Sequence, residues 1–167
     1  MKAVVGLVMC MSSLLVLTAA IASEKQVVGW IERVRIFPGG FALSAKMDSG
    51  ADNSSLNVTD FTIENREGQE WVRFKVIDGE GKTHQFEKKL VRIAKIKRHG
   101  APRQERPVVM MGICVGKHYQ EVEVNLVDRR AYKYPLLIGR SFMSRAMMVD
   151  PSKSYVLEPE CPGAPVE

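Results

Sequence analysis

Asp48-Ser49-Gly50 is the first place in the sequence where chemistry could be done. The apolar run Phe41–Met47 delivers a carboxylate into a turn, and Gly50 leaves room for the backbone to reverse tightly. Backbone N–H groups of such a turn can hold the Asp48 carboxylate at the strand end. Because all three residue types favour turns, the triplet alone is a weak mark. A second stretch adds weight: Leu136-Leu137-Ile138-Gly139-Arg140 joins an apolar triplet to a glycine and a guanidinium. A carboxylate can serve as general base or general acid. Two of them about 3 Å apart share one proton, since like charges that close cannot both ionise. The chain holds one Asp-Ser-Gly. A site that needed two matching halves would have to take them from two chains.

The elements that must position these residues read as strands. Val27–Ile31 and Arg33–Ile36 are β-rich and stop at the turn cluster Phe37-Pro38-Gly39-Gly40. Trp71–Val76 alternates with period two; Asp78-Gly79-Glu80-Gly81 turns the chain, and Thr83–Val91 returns it as a hairpin. Arg92–Lys97 extends to a turn at Arg98–Pro102. A third hairpin begins at Arg106–Met111, turns near Val115-Gly116-Lys117 and returns as Tyr119–Val127. In that last strand Val122, Val124 and Leu126 alternate with Glu121, Glu123 and Asn125. Pro135–Gly139 is a short apolar strand, and Arg140–Met143 starts a single short helix. Met147–Asp150 and Tyr155–Leu157 are expected as closing strands around a Pro151-Ser152-Lys153 turn. Many short strands at regular spacing predict an all-β fold, a small barrel or folded sheet.

Length limits what these elements can build. Of 167 residues, the first 22 read as an export signal: Met1-Lys2, the apolar or small stretch Ala3–Ala20, and a cleavage site ending at Ala22. The rest, about 145 residues, is one domain, 23–158, followed by a flexible tail, 159–167. That excludes a two-lobed enzyme in one chain. The expected location is periplasmic or secreted, with no membrane contact after signal cleavage. Composition, 46% hydrophobic and 26% charged, is that of a folded protein. The formal charge of +5 permits anionic partners without demanding them, and no nucleic-acid partner is expected. Past the leader remain Cys114 and Cys161, neither in a Cys-x-x-Cys. Export makes a disulfide between them possible; Cys114 otherwise reads as core.

Taken together, the two stretches resemble the retroviral-type aspartic proteases, the retropepsins. Asp48-Ser49-Gly50-Ala51-Asp52 matches that family's first signature, and Leu137-Ile138-Gly139-Arg140 matches the second, before the C-terminal helix. The sequence is similar over roughly Val28–Leu157 to a bacterial retropepsin-like branch named ATP-dependent zinc protease. Ala45–Ala51, Ser54–Leu56, Glu105–Val109, Glu123–Arg129 and Tyr134–Arg140 carry that likeness. Asp52 and Asn53 depart from the branch, and Asp52 follows the viral pattern. The resemblance implies a small closed β-barrel with one short C-terminal helix and a homodimeric aspartic endopeptidase. It makes Asp48 catalytic, with Ser49, Gly50 and Ala51 supporting the active-site loop; the Ser49 hydroxyl would brace the two loops across the dimer axis. Asp52 and Arg140 would form a structural ion pair.

The same likeness calls for a flap, a hairpin closing over the substrate. The candidate is Ile93–Arg106, its tip at His99, Gly100 and Ala101. It is basic, with Lys95, Lys97, Arg98, Arg103 and Arg106. Such charges either keep a solvated sheet edge from pairing or attract an acidic peptide. No metal or cofactor is expected. There is no His-Glu-x-x-His, His84, His99 and His118 are isolated, and Gly112–His118 is one residue short of a P-loop and ends in His. A reading of another class stays open: a catalytically weak retropepsin-fold protein that binds or scaffolds.

Overall fold

The computed structural model describes residues 24–98 and 100–165. The expected leader, 1–22, and the expected flap-tip residue His99 lie outside the described residues. No helix among the described residues is long and apolar enough to cross a membrane.

Among the described residues, eleven strands and one helix follow in order. They are β1 (Gln26–Phe37), β2 (Phe41–Met47), β3 (Ser54–Asn57), β4 (Phe61–Arg66), β5 (Gln69–Ile77) and β6 (Thr83–Lys89), then β7 (Arg92–Arg98), β8 (Ala101–Val115), β9 (His118–Val127), β10 (Leu136–Ile138), α1 (Arg140–Met143) and β11 (Met147–Ser154). The main sheet runs β11-β1-β2-β10-β3-β9-β8-β7, and β1 also pairs with β8. That extra pairing, Arg35 to Phe37 against Gly112 to Cys114, closes a ring of six strands. The expected all-β fold with one short helix is what the chain adopts, and the ring is compatible with a small barrel. A smaller sheet, β4-β5-β6, stands apart from it.

Period-two patterning makes these strands amphipathic. On β5 it turns Val72, Phe74 and Val76 inward and Arg73 and Lys75 outward. The inward set, with Phe86 of β6, joins Val34, Leu43, Met111, Val124, Leu136 and Phe142 in one core. Each of the larger side chains contributes about 1.5–3 kcal/mol by leaving water. The turn between β1 and β2 relies on Gly39 and Gly40, both at positive φ.

Several expectations need correction. Met147–Asp150 and Tyr155–Leu157 do not close the fold around a turn. β11 is one strand parallel to β1, irregular between the Gly29 and Ile31 pairings, and residues past Ser154 leave the sheet. The reason is Glu32, a carboxylate with no exposed surface. It accepts N–H bonds from Gly29 at 2.6 Å and from Val156 and Leu157 at 3.2 Å, so those amides bond a side chain instead of a strand. The tail expected to be flexible carries an anchor: Cys161 is bonded to Cys114, and the Glu160 amide donates to the Gly116 carbonyl at 2.7 Å. Cys114 is buried as expected of a core residue, but as half of that disulfide. β4 was not foreseen, because Phe61 and Ile63 stay exposed and its other residues are polar. Asn125, expected on the outer face of β9, is buried.

Candidate active site

β10 makes the site. It lies between β2, to which it is parallel, and β3, to which it is antiparallel. This brings the Ile138-Gly139-Arg140 end of β10 against the loop 48–53 that joins those two strands. The Asp48 amide donates to the Ile138 carbonyl at 2.9 Å. In return the Arg140 and Ser141 amides donate to the Ala51 and Asp52 carbonyls, each at 2.9 Å. Gly139 donates its N–H to the buried Ser54 hydroxyl at 3.2 Å. A Cβ on Gly139 would lie 2.6 Å from the Asn53 carbonyl carbon, so the close approach of the two segments requires glycine there.

Within the loop, the Ala51 amide closes a turn on the Asp48 carbonyl at 3.2 Å. The Gly50 amide donates to Asp48 Oδ1 at 3.0 Å, and Lys46 Nζ stands 3.1 Å from Oδ2. The Asp48 side chain keeps 24% of its surface exposed. Gly50 is not at positive φ; a Cβ there would sit 3.2 Å from Asp48 Oδ1. Its missing side chain leaves room for the carboxylate. Arg140 reaches back over the loop, donating to the Ser49 carbonyl at 2.8 Å and pairing with Asp52 Oδ1. Leu137 and Ile138 pair with Lys46 and Met47 of β2.

Beside the loop lies a cleft of about 330 Å³, bounded by Ala51 to Asn53 on one side and by β7 and β8 on the other. Arg92, Arg106 and Arg129 all line it. Arg92 pairs with Glu123, and Arg106 donates to Gln104 and, at 3.1 Å, to Asn125. Arg129 differs. It is only 8% exposed, its Nε donates to the Tyr134 carbonyl at 3.4 Å, and its guanidinium lies 4.7 Å from the Tyr132 ring centre. No carboxylate among the described residues is in salt-bridge contact with it. Burial pushes its guanidinium down from the ordinary arginine value, and repulsion from Arg106 adds to this. Tyr132 and, more weakly, Asp48 act in the opposite direction. Asn125 ties the cleft together, accepting from the Ser55 hydroxyl at 2.9 Å and donating to the Ser54 carbonyl at 2.7 Å.

Such a loop can present one general acid or base at a surface, oriented from both sides. Residues 27–160 match the family model described as retropepsin-like aspartic endopeptidase RimB. The chain belongs to the retropepsin-like aspartic endopeptidase family. Relatives include proteins named probable alpha-L-glutamate ligase. That of Shewanella halifaxensis is 35% identical over 119 residues, 70% of this chain and 26% of the relative. That of Desulfotalea psychrophila is 28% identical over 120 residues, again 70% and 26%. The chain thus spans about a quarter of the length of these curated relatives. It is also similar to a crystal structure of a Legionella pneumophila protein of unknown function, with 30% identity, a TM-score of 0.69, and coverage of 80% of this chain and 98% of that one.

The retropepsin-like loop brings together Asp48, Ser49, Gly50, Ala51, Asp52, Leu137, Ile138, Gly139 and Arg140. The expected flap is a hairpin of β7 and β8, paired from Arg92–Val108 to Arg98–Ala101. Its base lines the cleft through Ala94 and Ile96, and Gly100 lies at its turn with positive φ. Sequence reasoning gave no role to Lys46, Asn125 or Arg129. Asn125 and Arg129 fell inside segments of family likeness, but on β9 Asn125 takes its place in the polar half of an alternation, so nothing local singled it out. No group of three or more His, Cys, Asp or Glu among the described residues could hold a metal ion. His84 bonds Asp78 at 2.7 Å and stacks on Phe41, and His118 packs edge-on to Phe142. Gly112 lies within β8, packed against the ring of Tyr119 on β9.

Proposed function

We propose that this retropepsin-like chain is an exported, homodimeric aspartic endopeptidase with a preference for acidic peptides. The observation that carries the catalytic part is Asp48, held at a strand end with its carboxylate partly exposed and oriented by the Gly50 amide. One Asp48 per chain makes half a dyad, so the other half comes from a second copy. In the dimer, one Asp48 carboxylate takes a proton from water as the water oxygen bonds to the peptide carbonyl carbon. The other, protonated, gives its proton to the carbonyl oxygen. A hydroxyl of the resulting diol then returns its proton to the carboxylate while the newly protonated Asp48 protonates the departing nitrogen. The C–N bond breaks, leaving an acid, an amine and the dyad again sharing one proton.

Arg129 supports the acidic preference. A buried guanidinium without a carboxylate partner, lining a cleft with Arg92 and Arg106, is suited to a substrate carboxylate. The name of the relatives, glutamate ligases, fits a module that meets glutamate-rich chains. Export is supported by the Cys114–Cys161 disulfide, since such bonds persist in oxidising compartments. The test is cleavage of acidic and neutral peptides between about pH 3 and 7 by the wild type and Asp48→Asn. Cleavage of acidic peptides, lost in Asp48→Asn, is the expected result. Peptide binding with no cleavage that depends on Asp48 would replace this function with that of a retropepsin-fold scaffold.

A further inference from the structure

Both oxygens of the Asp48 carboxylate are already engaged: Oδ1 by the Gly50 amide at 3.0 Å and Oδ2 by the Lys46 ammonium at 3.1 Å. The first contact is fixed by the backbone. The second is made by a flexible side chain that reaches Asp48 because residues two apart on a strand share a face. Lys46 lies on β2 opposite Ile31 and beside Leu137, so its backbone is locked while its side chain remains 45% exposed and able to swing. Oδ2 has no backbone donor; if it is the oxygen that must meet the water, Lys46 obstructs the proposed dyad while it holds it, and a two-fold axis would place a second lysine on the second aspartate.

We propose that Lys46 is a specificity gate: it occupies Asp48 Oδ2 until an acidic side chain beside the scissile bond draws its ammonium away. The proposal rests on the endopeptidase function given above and deepens it. A neutral side chain at that position offers Lys46 no competing anion, so the gate stays shut after the peptide has bound. Selection then acts on turnover more than on binding. The ammonium of an exposed lysine exchanges partners at little cost, since such ion pairs are worth about 0–1 kcal/mol. Arg129 acts at a different place. It is fixed and buried, and it recognises a carboxylate in the cleft without obstructing the dyad.

The test uses two peptides alike except for Glu or Gln at the residues flanking the scissile bond, with wild type, Lys46→Met, Lys46→Arg and Asp48→Asn. In wild type, the Glu peptide should have a kcat/KM higher by about tenfold or more. In Lys46→Met, kcat on the Gln peptide should rise severalfold while its KM changes little, and the Glu-to-Gln ratio should collapse toward one. Lys46→Arg should keep the ratio. A merely structural lysine would give a loss on both peptides, not a gain on one. If Lys46→Met leaves the ratio unchanged, or slows both peptides alike, the gate is overturned while the endopeptidase function stands. If wild type shows no cleavage that depends on Asp48, both fall together.

Discussion

Gly50 lies in the loop 48–53 and Gly139 at the end of β10 packed against it, and the two glycines are needed for different reasons. At Gly139 the obstacle is backbone: the Asn53 carbonyl and the Asp52 oxygen lie within 2.8 Å of an added Cβ and cannot yield without moving the loop. Gly139→Ala should cost about 1–3 kcal/mol, the usual range for overpacking, and lower the melting temperature by about 3–10 °C. At Gly50 the one neighbour is the Asp48 carboxylate at 3.2 Å. Gly50→Ala should stay within about 0.5 kcal/mol of wild type and still lose most cleavage, because the added methyl presses on Oδ1. Thermal melts beside a peptide assay separate the two, and equal losses of stability would refute the distinction. Asp48, Gly139 and Arg140 were legible in the sequence because each lies in a short local motif. Arg129 and Asn125 were not, because a buried guanidinium and a buried amide are defined by what topology places around them. On β9, alternation put Asn125 with Glu121 and Glu123, on a face that reads as solvent. The face is solvent at one end of the strand, and at the other it meets Ser55 and Arg106.

At the scale of elements, the same limit explains which strands were readable. β2, β5 and β9 alternate in sequence and β8 ends in a continuous apolar run; β4 has its side chains largely in water, and the course of β11 is set by contacts distant in sequence. Glu32 and the Cys114–Cys161 bond together strap the C-terminal segment to β1 and β8. The disulfide closes 47 residues, and in the chain-entropy view such a loop is worth about 4 kcal/mol, with removal of native bonds costing about 2–5 kcal/mol. Cys161→Ser, or reduction of the wild type, should lower the melting temperature by about 5–15 °C and free the segment after Leu157 to proteolysis. An unchanged melt and an uncut tail would show that Glu32 holds the segment alone. The β5–β6 turn gives a pH-dependent counterpart. Asp78 is held below its ordinary carboxyl value of 3.8 first by the bond to His84, and then by the Lys82 and Glu80 amides. A depressed folded value means stability that is full above the unfolded value and lost as pH falls through the folded one. Asp78→Asn should therefore melt lower than wild type near about pH 6, with the gap narrowing as the pH falls below the ordinary carboxyl value of 3.8. Asp128, held down to about 2 mainly by Arg130, should titrate in the same direction. A gap that does not change with pH would place the cost of Asp78→Asn elsewhere.

At the scale of the whole molecule, the single Asp-Ser-Gly of these 167 residues becomes a statement about concentration. The ring of six strands, β10 among them, and the loop 48–53 are built from one chain, so the fold is expected to persist on dilution. The proposed dyad is not, since one chain supplies one Asp48. Well below the dimer constant the active species should therefore grow as the square of total protein, and activity per chain should fall in proportion on dilution, while the fold, followed by circular dichroism, stays unchanged. A second measurement removes the ambiguity of loss on tube walls. Asp48→Asn chains, whose substitution is confined to a partly exposed side chain, should still dimerise and should trap wild-type chains in mixed dimers with one usable carboxylate. With equal amounts and random association, about half of the wild-type chains end up in such dimers. Activity per wild-type chain should then drop to about half of its value alone, once subunits have had time to exchange. Activity that neither falls on dilution nor responds to Asp48→Asn chains would mean that a single copy suffices. The second acid would then have to be found in this chain, away from the Asp48 loop.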